Sequence, residues 1–140
     1  MKVVLDTNIY ISALIQKESP SGTILQMCYE GSIDPVMSKA IYEEMQRMFC
    51  HRKIVKILGL TCEQSIDVLS RLIKNSTFVI PSIPAKRVRE DKPSNRYIEA
   101  ALAANASYLV TGEQDLLKVE HDNGIDILSP AAFLATLAVA

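Results

Sequence analysis

The chain has 140 residues, of which 49 % are hydrophobic and 22 % are charged, and its formal net charge is -1. These values exclude a disordered chain and favour one globular domain, residues 1–140. The near-zero net charge excludes a protein that holds nucleic acid by a general positive field, because phosphate neutralisation needs clustered Lys and Arg.

Short apolar runs and longer segments of helical spacing alternate along the chain. Brief β-branched runs predict buried strands, and apolar residues at three- and four-residue steps predict helices. In chain order, we first expect a strand at Lys2–Leu5, helices at Ile9–Ile15 and Thr23–Tyr29, and a candidate strand at Ile33–Met37. We then expect helices at Lys39–Phe49, Lys53–Leu58 and Cys62–Lys74, followed by a strand at Thr77–Ile80. The last elements are a helix at Tyr97–Ala104, strands at Tyr108–Thr111 and Ile125–Leu128, and a helix at Pro130–Ala138. Pro35 restricts the candidate strand to an edge strand or a loop.

The alternation of strands and helices predicts the fold class. Strands separated by helices imply right-handed crossovers and a parallel sheet that is covered on both faces. A capping-box pattern at Thr61 and Gln64 and the Ser129-Pro130 pair support two of the helix boundaries. We therefore predict an α/β protein, a three-layer α/β/α sandwich around a central, mostly parallel sheet.

The apolar runs and the cysteines indicate the compartment. No stretch approaches the roughly 20 apolar residues that span a bilayer, and the run before Asp6 is shorter than a signal-peptide core. Cys28, Cys50 and Cys62 form an odd set without CxxC spacing, which indicates reduced thiols rather than a disulfide framework or a zinc site. We expect a cytoplasmic protein with no membrane partner.

Two acids follow predicted strands, where ligands of open parallel sheets bind. Asp6 comes directly after the first strand, and Glu113 follows Thr111 and Gly112 at the end of another. Either acid alone is equally well explained as a helix N-cap. Together they favour a functional site at one edge of the sheet.

A third acid is expected from the helix Lys39–Phe49. At about 100° per residue, Glu44 lies beside the apolar stripe of this helix, whereas Glu43 points to the opposite side. Glu43 also has Arg47 four residues later, the spacing of an exposed ion pair. Glu44 is therefore the candidate site residue, and Glu43 is expected in solvent.

Gathered carboxylates of this kind suit a divalent cation. Like charges in one cleft repel each other, and Mg²⁺ is typically held by a few carboxylates together with substrate phosphates. The reaction class that follows is metal-assisted hydrolysis of a phosphodiester.

The segments Val3–Ile9, Tyr42–Met45, Ala100–Ala104 and Tyr108–Leu117 resemble, in their order and spacing, the PIN-domain family. The resemblance is to the branch described as toxin components of prokaryotic toxin–antitoxin pairs. It implies an α/β/α sandwich that cleaves single-stranded RNA with Mg²⁺ or Mn²⁺. It also implies a homodimer that a cognate antitoxin restrains.

The resemblance assigns the acids residue by residue. Asp6 matches the first acid of the family, Glu44 the second, and Glu113 the fourth, which is usually an Asp. The third acid falls in the segment 91–95, where the matching residue is Ser94. Asp91 is the nearest substitute for it, and the alternative role for Ser94 is that of a plain N-cap.

Further residues have supporting roles to play under this resemblance. Thr7, Asn8 and Thr111 are expected to orient the first acid or the substrate, and capping explains Thr7 and Asn8 equally well. Asp115 lies beside the metal in some relatives, but it is also explained as an acid in the first turn of a short helix.

Three hypotheses about function follow. The first is a metal-dependent endoribonuclease of toxin type, with its activity weakened by Ser94. The second is a catalytically degenerate PIN-like module that binds RNA or a protein partner. The third, a phosphorylated Asp6, is disfavoured because Asn8 stands where such enzymes need a second acid.

Two basic stretches are candidates for contact with RNA phosphates, although charged runs more often only solvate a surface. One lies near the helix that carries Glu44, and the other lies near Ser94. They comprise Arg47, His51, Arg52, Lys53 and Lys56, and Lys86, Arg87, Arg89 and Arg96.

Overall fold

Six strands and eight helices alternate along residues 1–82 and 94–139, the parts of the chain that this computed structural model describes. The strands are β1 (Lys2–Leu5), β2 (Asp34–Met37), β3 (Thr77–Phe78), β4 (Tyr108–Val110), β5 (His121–Asp122) and β6 (Ile125–Leu128). The helices are α1 (Thr7–Ile15), α2 (Pro20–Tyr29), α3 (Lys39–Phe49), α4 (Arg52–Leu58), α5 (Cys62–Leu72), α6 (Asn95–Ala104), α7 (Gln114–Leu117) and α8 (Pro130–Val139).

The strands form one sheet in the order β3-β2-β1-β4-β6-β5. All pairings are parallel except that of β5 with β6. Helices cover both sides of this sheet, so the predicted α/β sandwich is confirmed. The chain adds β2 and β3 on one side of β1, and β4 and β6 on the other. The order therefore reverses between β1 and β4, and a ligand crevice forms at such a reversal.

The position of β1 in the core explains why its sequence is a continuous apolar run. Val3, Val4 and Leu5 are all at most 1 % exposed, as expected for a central parallel strand that is covered on both faces. Helix α6 packs against β1, β2 and β4, while α3 packs against α5 and α2 against α8. Within the described residues, none of the helices has the length and apolar content that crossing a bilayer requires.

The position of β2 differs from the prediction, because it lies inside the sheet in spite of Pro35. The Asp34 amide donates to Met1 O on the β1 side, so alternation directs the nitrogen of Pro35 toward β3. Strand β3 begins at Thr77, which lies opposite Val36. The missing amide hydrogen of Pro35 therefore falls where β3 has not yet begun, and no ladder bond is lost.

The predicted buried strand Thr77–Ile80 was wrong in length and in environment. Strand β3 contains two residues at the edge of the sheet, and the side chains of Phe78 and Ile80 are 57 % and 92 % exposed. An apolar run alone does not distinguish a buried strand from an edge strand.

The cysteines also differ from the prediction, because Cys50 and Cys62 form a disulfide. Cys50 is the C-cap of α3, and Cys62 is the first residue of α5. Their contact depends on how α3, α4 and α5 fold back on one another, which cysteine spacing does not encode. Cys28 has a free thiol, and burial raises its pKa to about 12.

Candidate active site

Asp6 and Thr111 meet where β1 and β4 end side by side. The register pairs Leu5 with Val110, and the Asp6 amide donates to Val110 O at 3.0 Å, which extends the ladder by one step. Thr111 Oγ1 then donates to Asp6 Oδ2 at 2.7 Å. Asp6 is also the N-cap of α1, since its Oδ1 accepts from the Asn8 amide at 3.3 Å. Asp6 is therefore both the N-cap of α1 and a residue of the candidate site.

The Asp6 carboxyl is almost fully buried, at 4 % exposure. Burial raises its pKa above the usual value, and the hydrogen bonds from Thr111 and Asn8, together with the nearby Tyr97 hydroxyl, offset only part of this rise. The nearby charge of Glu44 raises the pKa further. A cation bound beside this carboxylate would stabilise its charged form.

Helix α3 directs Glu44 toward Asp6. Glu44 is half-buried and Glu43 is exposed, in agreement with the helical phase. Glu44 Oε2 accepts a short hydrogen bond from the Tyr97 hydroxyl and lies 3.2 Å from Thr7 Oγ1. Its Oε1 lies 3.7 Å from Arg96 Nη1, in a partly exposed ion pair. Both oxygens of Glu44 therefore have protein partners.

Tyr97 is a site residue that sequence reasoning missed, because its spacing predicted only burial. Its ring is 2 % exposed, and its hydroxyl lies 3.0 Å from Thr7 Oγ1 as well as next to Glu44. Burial raises the pKa of Tyr97 far above its usual range, and the charges of Asp6 and Glu44 add to this. The hydroxyl thus stays protonated and donates to Glu44. The signal in the sequence was a phenol three residues after Ser94, on the same helical face.

Ser94 takes the N-cap position of α6, but its side chain makes no capping hydrogen bond. Ser94 therefore occupies the predicted N-cap position without capping the helix through its side chain. Ser94 is 9 % exposed and lines the same cavity as Asp6 and Glu44. Asp91, the alternative third acid, lies outside the described residues, as do Lys86, Arg87 and Arg89.

Glu113 enters from the loop after β4. Its amide donates to Thr111 Oγ1 at 3.0 Å, so one hydroxyl contacts both Asp6 and the backbone of Glu113. The Glu113 side chain is exposed at the rim of the cavity. Asp115 is exposed on α7 and does not line this cavity.

These residues enclose a small open cavity of about 160 Å³. Its lining combines carboxylates with hydroxyl and amide groups and one thioether: Asp6, Thr7, Asn8, Glu44, Met48, Ser94, Tyr97 and Glu113. A larger cavity of about 540 Å³ lies between α1 and α2, away from these acids. Of these two cavities, the smaller is the candidate site, because it joins several carboxylates at the reversal of strand order.

The donors of the cavity suit a hard divalent cation, which prefers carboxylate and other oxygen ligands. Among residues 1–82 and 94–139, no three acidic, histidine or cysteine side chains converge closely enough to hold an ion by themselves. Mg²⁺ commonly completes its shell with waters and substrate phosphates, so incomplete convergence is compatible with such an ion.

Comparisons with known proteins identify the family to which this fold belongs. Residues 2–115 match the family model of the PIN domain. An uncharacterized protein of Methanocaldococcus jannaschii is 30 % identical over 123 residues, which cover 88 % of this chain and 77 % of the relative. Two solved structures share the fold, each with a TM-score of 0.60. The first is VapBC2 from Rickettsia felis, bound to a DNA fragment from its promoter; it is 17 % identical, and the match covers 91 % of this chain and 97 % of the VapBC2 chain. The second is VapBC-1 from nontypeable Haemophilus influenzae; it is 19 % identical, and the match covers 94 % of this chain and 99 % of the VapBC-1 chain. With most of its length matched to the family model, the chain belongs to the PIN-domain family.

Proposed function

We propose that this protein is a metal-dependent endoribonuclease of the toxin–antitoxin type, which cleaves single-stranded RNA at the cavity around Asp6. The observation that carries the proposal is that Asp6, Glu44 and Glu113 line one cavity at the reversal of strand order. PIN domains are generally nucleases, and the similarity in fold to the VapBC structures supports the toxin class.

In this proposal Asp6, Glu44 and Glu113 hold Mg²⁺ or Mn²⁺, with Asp91 as a further candidate ligand. The bound ion would supply Lewis-acid activation of a water and neutralise charge on the scissile phosphate. Thr111 orients Asp6 through its 2.7 Å hydrogen bond, and it also fixes the backbone of Glu113. Partners that fix the orientation of metal ligands in this way strongly affect metal affinity.

Thr7 and Tyr97 fix the orientation of Glu44. Tyr97 donates its one proton to Glu44, so Thr7 can donate either to Tyr97 or to Glu44, but not to both at once. Asn8 and Ser94 line the cavity where the substrate phosphate would lie. Asp115 has a weaker claim, because it lies outside the cavity lining.

A second candidate function is a degenerate PIN-like module that binds RNA or a protein partner without cleaving. The observation in its favour is that Ser94 lines the cavity where the family has an acid. The ion pair of Arg96 with Glu44 also brings a protein cation toward the acids. Both features weaken the attraction for a metal ion.

The toxin assignment implies partners. We expect a cognate antitoxin and a homodimer, with residues 1–140 as one domain. For the dimer, the faces of α1 and α5 are candidate contact surfaces. A toxin gene should have a short open reading frame beside it, and co-expression with such a frame, followed by size-exclusion chromatography, would test the antitoxin.

The experiment that tests the nuclease function is cleavage of a labelled single-stranded RNA in Mg²⁺, in Mn²⁺ and in chelator. The control is the Asp6→Asn variant prepared in parallel, which excludes a contaminating ribonuclease. We expect cleavage by the wild type only with metal and none by the variant. RNA binding without cleavage in any metal would favour the degenerate module.

A further inference from the structure

Helix α4 has its cations on one side and its half-buried apolar residues on the other. At about 100° per residue, the three cations fall within an arc of roughly 100°, and the apolar residues lie opposite. The helix contains no acid, and none of its residues is fully buried. The cations are Arg52, Lys53 and Lys56, and the half-buried residues are Ile54, Val55 and Leu58.

The disulfide links the two segments that flank this helix. Cys50 and Cys62 join the end of α3 to the start of α5, with their Cα atoms 4.7 Å apart, and α4 lies between them. Helix α4 also contacts α1, α3 and α5, although none of its residues is fully buried. A short helix without a buried anchor depends on its ends for a fixed position, and here both ends are tied together.

The same geometry brings α4 close to the candidate site. Met48 lies one turn after Glu44 on α3 and lines the carboxylate cavity, so the cavity extends toward the end of α3. Cys50 follows two residues later, and His51 caps α4 by accepting from the Lys53 amide. Helix α4 also packs against α1, whose first residues Thr7 and Asn8 line the cavity.

We propose that α4, fixed by the Cys50–Cys62 disulfide, is the surface on which the phosphate backbone of the RNA substrate docks. The inference rests on the proposed function. A chain with a net charge of -1 and a cavity of acids repels a polyanion unless cations lie beside the cavity. Helix α4 provides such cations without any acid in its own sequence. Charge complementarity therefore selects a polyanionic strand as its occupant.

Reduction of the disulfide should weaken this docking. A dithiol reagent transfers two electrons and two protons to the Cys50–Cys62 bond, which opens to two thiols while the reagent becomes a cyclic disulfide. Helix α4 then loses the link between its ends, and ordering it again on the RNA costs conformational entropy. Affinity for RNA falls, while the residues of the cavity remain unchanged.

The test measures the binding of a fluorescent oligouridine by anisotropy, in chelator so that no cleavage occurs, at several salt concentrations. The triple variant Arg52→Gln, Lys53→Gln, Lys56→Gln is compared with a charge-matched control, Lys2→Gln, Lys17→Gln, Lys74→Gln. The control lysines are exposed and lie outside the cavity lining. For a single strand, each phosphate contact contributes about 0.7 to the steepness of the plot of log affinity against log salt. We therefore expect this slope to become shallower by about 2 in the α4 variant and to stay unchanged in the control.

A second pair of variants tests the disulfide. We expect Cys50→Ser, Cys62→Ser to bind the oligouridine several-fold more weakly, and Cys28→Ser to bind like the wild type. Dithiothreitol should weaken binding by the wild type but not by the double variant. Unchanged affinity of the double variant would show that the disulfide does not position α4.

The outcomes separate this inference from the proposed function. If the wild type cleaves RNA with Mn²⁺ but the α4 variant and the control have equal salt slopes, the docking surface is wrong and the nuclease stands. If the wild type neither binds nor cleaves RNA, both proposals fail. If the wild type binds polyglutamate but not oligouridine, and the α4 variant loses polyglutamate binding, α4 binds an acidic protein instead. That result would overturn the inference.

Discussion

Thr111 Oγ1 donates to Asp6 Oδ2 at 2.7 Å, and both residues directly follow neighbouring parallel strands. The two are 105 positions apart in the chain, yet the register of β1 with β4 places them side by side. Since Thr111 also accepts from the Glu113 amide, one hydroxyl connects two of the proposed cation ligands.

The first prediction removes this hydroxyl. Thr111→Val keeps the shape but leaves a buried oxygen of Asp6 without its donor, which costs about 1–3 kcal/mol of folding stability. We expect RNA cleavage in Mn²⁺ to fall by about 10–100-fold, the usual effect of losing a partner of a metal ligand. Thr111→Ser retains the hydroxyl and is the matched control. Equal cleavage rates for the Val and Ser variants would show that Thr111 does not support Asp6.

The second prediction compares two adjacent acids of α3. Glu44→Gln should abolish most cleavage, because Glu44 lines the cavity, whereas the exposed Glu43 should tolerate the same change. Cleavage rates and melting temperatures of the two variants are measured together. If Glu43→Gln loses as much activity as Glu44→Gln, the assignment of Glu44 fails.

The third prediction concerns Ser94, which lines the cavity without capping α6. Ser94→Asp loses no capping hydrogen bond, and it adds a carboxylate near the positive end of α6. In chelator the added charge should repel Asp6 and Glu44 and lower the melting temperature. A bound cation reverses the repulsion, so the rise in melting temperature with Mn²⁺ should exceed that of the wild type.

Cleavage provides an independent measurement for Ser94→Asp. A stronger cation site should hydrolyse RNA faster than the wild type at the same Mn²⁺ concentration. If Ser94→Asp and the wild type show the same rise in melting temperature with Mn²⁺ and the same cleavage rate, Ser94 lies outside the metal site.

The fourth prediction follows from the burial that raises the pKa of Asp6. A carboxyl whose pKa is higher in the folded state binds its proton more tightly there. Its favourable contribution to stability is therefore complete below the ordinary pKa of 3.8 and is lost as the pH rises through the raised value. In chelator at neutral pH, Asp6→Asn should unfold at a higher temperature than the wild type. The difference should shrink as the pH falls toward 3.8, and a difference independent of pH would contradict this explanation.

Local patterns predicted much of the fold and the positions of the acids. β1, β4 and β6 were recognised because central parallel strands are continuous apolar runs, and Glu44 was separated from Glu43 by helical phase. The capping box at Thr61 and Gln64 was also confirmed. These features depend only on residues close in sequence.

The features that were missed depend on contacts between distant segments. Pro35 fits an inner strand only because β3 begins one residue later in the register. The Cys50–Cys62 disulfide requires α3 and α5 to meet, and the bond between Tyr97 and Glu44 joins residues 53 positions apart. A single sequence gives the spacing of such residues but not their distance in space.

The most direct test of a cation site at Asp6, Glu44 and Glu113 is calorimetric titration of Mn²⁺ into the wild type and the Asp6→Asn variant, with Glu43→Gln as control. Asp6 is the most buried of the three acids and accepts hydrogen bonds from Thr111 and Asn8, so its charge should dominate the affinity. We predict saturable binding by the wild type and by Glu43→Gln, and no measurable binding by Asp6→Asn. Binding of Mn²⁺ by Asp6→Asn with the affinity of the wild type would contradict the assigned site.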